Sequence, residues 1–166
     1  MRIINIIAPI VFILIGINVH AQNNQSGLPK VDIKDLTGKT INTSSLLDGE
    51  RPVILSFWAT WCSPCIKELD AISAYLEDWQ DETDVRVIAI SIDDSRTSMR
   101  VVPLANGRGW EFEVYLDSNG DLKRAMNVVS PPHTFVINTM GEIIYQHTAY
   151  AEGDEEELFE QVKQAL

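Results

Sequence analysis

A single α/β domain, with a central mixed sheet flanked by helices on both faces, is predicted by three features of this 166-residue sequence. Two runs, Pro52 to Trp58 and Val85 to Ile92, are continuously apolar, as strands buried on both faces are. Between them the period changes: Ile66, Leu69, Ile72, Leu76 and Trp79 form the apolar stripe of a helix. Further on, Thr134 to Ile137 is a third buried run, and the turn Asn138 to Gly141 returns it as a hairpin through Glu142 to His147. Strand, helix, strand, helix, hairpin and a last helix require that layered arrangement.

At the N-terminus, Arg2, a mostly apolar run from Ile3 to Val19 and the small-residue site Val19-His20-Ala21 make residues 1–21 a secretory signal, cleaved after Ala21. The run is shorter than the roughly 20 residues of a comfortable membrane span, so retention as an uncleaved N-terminal anchor is the alternative. Residues 22–30 are polar, with Gly27 and Pro29, and read as a flexible lead-in to a domain over 31–166. Val31-Asp32-Ile33 and Thr40-Ile41, joined by Thr37-Gly38-Lys39, predict a short hairpin. A helix starting at Ser95 or Thr97 would turn Met99, Val102 and Leu104 inward and end at Gly107 and Gly109. Phe112 to Leu116 is extended and Leu122 to Met126 helical. Leu158, Phe159, Val162 and Leu166 line a closing helix, whose acidic start at Glu155-Glu156-Glu157 suits the helix dipole. No repeat or low-complexity linker divides the chain, and a monomer is expected.

The formal charge is −11, and −12 once Arg2 leaves with the signal. That balance argues against nucleic acid as a partner, because phosphate contacts need Lys and Arg; it favours solubility.

The two cysteines, Cys62 and Cys65, carry the chemistry. They close too short a loop to constrain the unfolded chain usefully, and export places them where disulfides form. Electron exchange is the better reason for pairing them. They stand where a strand gives way to a helix, and unpaired N–H groups at a helix start stabilise a thiolate, the reactive form. Cys62, nearer the open end, is assigned the attack on an incoming disulfide. Cys65, one turn in, resolves the mixed disulfide. Ser63 and Pro64 tune the pair, and Pro64 fits the first helical turn without losing a hydrogen bond. A static disulfide is one alternative. Another is a metal site: structural zinc wants four ligands, and the mature chain adds only His133 and His147 to the two cysteines. A Cys-Cys-His copper site would use His133. No cofactor and no metal are expected.

Phe57-Trp58-Ala59-Thr60-Trp61-Cys62-Ser63-Pro64-Cys65 resembles the active-site segment of the thioredoxin superfamily, and Ile66-Lys67-Glu68-Leu69 resembles the stretch just after the cysteines in its exported TlpA/ResA branch. The resemblance spans most of Leu28 to Leu166. It implies a thioredoxin-like fold with an N-terminal β-hairpin and a central helical insertion. It also implies a cis-proline opposite the cysteines. Ser130-Pro131-Pro132-His133-Thr134 matches that segment, with Pro132 in the cis-proline position, and X–Pro bonds are the ones where cis costs little. Trp61, Pro131 and His133 then line the substrate groove. Two departures stand out. The superfamily's buried Asp on the strand before the cysteines is Ser56 here, and the acid expected at the end of the next strand falls on Asp94. Asp94 would accept the Cys65 proton, or else Asp93 and Asp94 only cap the next helix. His133 replaces a small residue and would either favour a thiolate or line the groove without chemical duty.

These readings predict an exported thiol–disulfide oxidoreductase that reduces disulfides in other exported proteins. Its electron source by resemblance is a membrane thiol–disulfide donor, and apocytochrome c is the leading client, placing the chain in cytochrome c maturation. The chain has no haem attachment site of its own, since Ile66 follows Cys65. The rivals are a disulfide-donating oxidase, a peroxiredoxin-type antioxidant and a non-enzymatic copper-binding maturation factor.

Overall fold

The computed structural model describes residues 27–166, so the signal expected over 1–21 and the expected lead-in as far as residue 26 lie outside it. Seven strands form one sheet: β1 (Asp32–Asp35), β2 (Thr40–Asn42), β3 (Val53–Trp58), β4 (Arg86–Ser91), β5 (Glu113–Leu116), β6 (His133–Ile137) and β7 (Ile143–Thr148). They lie in the order β2-β1-β5-β4-β3-β6-β7. β3, β4 and β5 run parallel, and β1, β2, β6 and β7 complete the sheet through antiparallel pairings. Among the described residues four α-helices cover it: α1 (Ser63–Thr83), α2 (Val101–Arg108), α3 (Asp121–Ala125) and α4 (Asp154–Lys163).

Period-2 alternation along the central strands sorts the core into two layers. Ile54, Trp58, Val87, Ala89 and Val136 face α1, α2 and α4, meeting Leu69, Ile72, Leu76, Val101, Ala105, Leu158 and Val162. Val53, Leu55, Phe57, Ile88, Ile90, Phe135 and Ile137 point the other way, onto Leu122 and Met126 of the α3 region and onto Leu28, Ile33 and Leu46. The expected class and both covered faces are therefore present, and the thioredoxin-like fold includes the N-terminal hairpin and the inserted helix α2. The hairpin extends the main sheet, because β1 pairs with β5.

Three local expectations are corrected. Residues 27–30 are docked rather than loose: Leu28 is buried, Gly27 N–H donates to the Gly141 carbonyl (2.8 Å), and the Pro29 carbonyl accepts from the Thr43 hydroxyl. Met99 points outward, 81% exposed, while Val101 and Ala105 turn inward. The reason is a 3₁₀ turn at Ser98–Arg100, whose tighter winding shifts the helical register that a count from Ser95 assumes. Leu166 is exposed and Ala165 takes the inward place, because α4 ends at Lys163 and the chain leaves the helical register.

Candidate active site

Trp58 ends β3 fully buried, and the chain then leaves the sheet through Ala59, Thr60 and Trp61 to Cys62, the cap residue of α1. Cys62 N–H donates to the Ala59 carbonyl (3.0 Å), and the Cys62 carbonyl accepts from Ile66 N–H (3.2 Å). Pro64 sits in the first helical turn, where its missing N–H costs nothing. The two cysteines are joined as a disulfide, with Cα atoms 5.3 Å apart. Cys65 is fully buried, whereas Trp61, Ser63 and Pro64 around Cys62 are exposed. Cys62 is itself 5% exposed.

The loop carrying Cys62 is fastened from below by Asp93. This carboxylate is fully buried at the end of β4 and accepts from Thr60 N–H (2.8 Å), the Thr60 hydroxyl (2.6 Å) and the Ser91 hydroxyl (2.9 Å). Asp94, the predicted proton acceptor, turns outward instead. It pairs with Arg96 at 2.6 Å and accepts from Arg96 N–H (2.9 Å), while its carbonyl accepts from Thr97 and Ser98 N–H. The Arg96 hydrogen bonds hold its carboxyl below the ordinary range. Adjacent residues at a strand end point to opposite sides, so one Asp anchors the loop and the other caps the following turn.

The buried carboxylate behind Cys65 is Glu68, which the sequence motifs alone did not single out. Residues three apart on a helix share a face, with Cβ atoms about 5–6 Å apart, so Glu68 lies one turn behind Cys65 on the inward side of α1. Its Oε1 accepts from the Thr134 hydroxyl (2.8 Å) and stands 2.7 Å from His147 Nε2. Thr134 Oγ1 is also 2.9 Å from Ser56 Oγ. A hydroxyl has one proton, so Thr134 gives its own to Glu68 and receives one from Ser56. Glu68 Oε2 is buried with no hydrogen-bond partner. Ser56 on β3, at the position of the superfamily's buried Asp, thus supports a carboxylate that arrives from α1. The available signal was the helix stripe itself: position 68 falls on its inward face, where a charged residue is costly unless paired.

Pro132 is buried, and its peptide bond with Pro131 is cis. Because His133 pairs with Phe57 across β6 and β3, Pro132 stands level with Trp58, at the sheet end from which the cysteine loop emerges. Its carbonyl accepts from Ala149 N–H (3.2 Å). Pro131 is half-buried beside it, and Val129 and Ser130 are exposed. His133 begins β6 but faces away from α1: its ring stacks on Phe135 at 4.3 Å and its Nε2 is 3.0 Å from Gln146 Oε1. Burial lowers its pKa. Alternation along β6 thus sends Thr134 to the cysteine face and His133 to the other, which removes His133 as a third ligand for a copper ion on the two sulfurs.

A parallel β3–β4 core with a Cys-x-x-Cys pair at the start of the helix after β3 defines a thioredoxin-like thiol–disulfide oxidoreductase. The chain belongs to the AhpC/TSA family, whose model matches residues 25–146. It is similar to the sporulation thiol-disulfide oxidoreductase A of Bacillus subtilis, 29% identical over 75% of this chain and 74% of that one. The thiol-disulfide oxidoreductase ResA of the same organism is 29% identical over 72% of this chain, and the match spans 64% of ResA's own length. A solution structure of a thioredoxin-like protein from Porphyromonas gingivalis is 50% identical, covers 86% of this chain and 94% of its own, and superposes with a TM-score of 0.75.

Proposed function

We propose that this chain is an exported reductase of disulfides in other exported proteins. The observation that carries the direction is the buried Glu68 one turn behind Cys65. An oxidant of this class is strong because its reduced form is stabilised, and a carboxylate beside a thiol does the reverse by disfavouring the thiolate. Raising the free energy of the dithiol makes it the better electron donor.

In the reaction, the Cys62 thiolate attacks one sulfur of a client disulfide. The client's S–S bond breaks, and its leaving thiolate takes a proton from water. Glu68 receives the Cys65 proton, and the Cys65 thiolate attacks Cys62 Sγ. The Cys62–Cys65 disulfide forms as the second client sulfur leaves as a thiolate and is protonated. The client is reduced by two electrons and the cysteine pair is oxidised by two. Trp61, Pro64, Pro131 and Pro132 frame the groove in which the client lies, with Ser63 and Pro64 setting how strongly the helix start favours the thiolate. A membrane thiol–disulfide donor restores the dithiol, and an apocytochrome with a Cys-x-x-Cys-His site is the client class first tested. The sequence over residues 1–21 supports export with cleavage after Ala21, which N-terminal sequencing of the mature protein checks.

Trapping tests the assignment. Cys65→Ser protein, reduced and mixed with an oxidised Cys-x-x-Cys-His peptide, is expected to accumulate a mixed disulfide through Cys62. Cys62→Ser is expected to form none. Equal trapping by both variants would overturn the division of roles.

A further inference from the structure

Cys65 and Glu68 are both sealed from water, so the proton that moves between them at each turnover needs a route to solvent. Glu68 contacts three protein groups through one chain: Ser56 and Thr134, both buried, and His147. Ser56 and Thr134 lead only further into the sheet. His147 stands on β7, the edge strand, and its side chain is 16% exposed where that of Glu68 is 1%. Its Nε2 is already 2.7 Å from the carboxylate. The other oxygen, Oε2, has no partner while the cysteines are joined. A thiol at Cys65 would supply the missing donor.

From this arrangement we propose that His147 is the proton port of the redox centre, a positioning residue that acts on Cys65 through Glu68. It rests on the reading of Cys65 as the buried member of a reversible dithiol. When a donor thiolate attacks Cys62 Sγ, the Cys62–Cys65 bond breaks and Cys65 leaves with the electron pair. His147 passes a proton from Nε2 to the Glu68 carboxylate, Glu68 hands it on to Cys65 Sγ and is a carboxylate again, and water reprotonates the ring. The donor's second thiolate then releases Cys62, so the donor is oxidised to a disulfide as the protein's disulfide is reduced. Oxidation by a client runs the same protons outward. The ionisable groups around the pair are Tyr145 of β7, whose ring meets His147 edge-on at 5.8 Å, His133 of β6, Tyr150 of the following loop, and Asp154, Glu155 and Glu157 of α4.

Two readouts test the port. The His147 ring resonances, followed against pH by NMR in the full mature chain, should titrate at different pH in the oxidised and reduced forms, and Glu68→Gln should remove the difference. His147→Ala should slow reduction by dithiothreitol about a hundredfold, the lower end of general acid–base effects. Free imidazole should restore the rate with saturation, and alkylation of Cys62 by iodoacetamide should change less than twofold. Because His147→Ala could disturb the fold, His147→Gln and the double variant with Glu68→Gln are measured alongside. The double variant should match Glu68→Gln alone. A ring titration that ignores redox state, additive effects in the double variant, or imidazole without effect would overturn the proposal. If the wild-type protein itself failed to exchange with dithiothreitol, the oxidoreductase reading would fall rather than the port.

Discussion

When the Cys62–Cys65 bond opens, Cys65 must settle its charge in a place water does not reach, and the carboxylate one turn behind it decides how. Replacing Glu68 by Gln removes the charge that disfavours a Cys65 thiolate. The expected result is a lower Cys65 thiol pKa and a shift of the glutathione equilibrium toward the reduced protein, on the order of tenfold for each unit of pKa. Thiolate absorbance and quenched redox mixtures measure the two. His133 gives a second test. Burial depresses its folded pKa below the unfolded value near 6.5, so the unfolded chain binds the proton first. Stability from this ring is therefore complete above about pH 6.5 and declines as pH falls from there toward the folded pKa. Denaturant unfolding at pH 7.5 and 5.5 should show the decline, and His133→Phe should flatten it. At this scale the sequence disclosed Cys62, Cys65 and the place of Pro132, because local motifs carry them. Glu68 and His147 meet only because α1 crosses β6 and β7, 79 residues apart in sequence. The choice between Asp93 and Asp94 depended on which neighbour of a strand end faced inward.

At the scale of elements, α1 is held to the sheet by Leu69, Ile72, Leu76 and Trp79, and its first turn by the loop that Asp93 fastens. Leu69 is fully buried, and Leu69→Ala should cost about 2–5 kcal/mol in urea unfolding, the range for emptying such a site. Asp93→Ala leaves Thr60 N–H and two hydroxyls without their acceptor. At roughly 1–3 kcal/mol for a buried group left unpaired, the loss should reach several kcal/mol. Cys62 should also alkylate at a changed rate, whereas Leu69→Ala should leave that rate alone. The stripe of α1 was legible because an apolar period of 3.6 survives over a long helix. The short helix α2 was placed with its register shifted, since one 3₁₀ turn ahead of it is enough to rotate Met99 out and Val101 in.

For the whole molecule, the parallel strands β3, β4 and β5 place the loops after β3, β4 and β5 at one end of the sheet, and antiparallel β6 brings Pro132 to that same end. The class of fold was readable from element order, but the position of the N-terminal hairpin beside β5 was not, because pairing between distant strands leaves little trace in local pattern. The central claim is the direction of electron flow, and it belongs to this scale, since the potential is the free-energy difference between two folded states of one molecule. Equilibrating the mature protein with glutathione or dithiothreitol buffers and quantifying free thiols measures it. A potential below about −200 mV is predicted for the reductase; a value near about −120 mV, where a strong oxidant of this class sits, would contradict it.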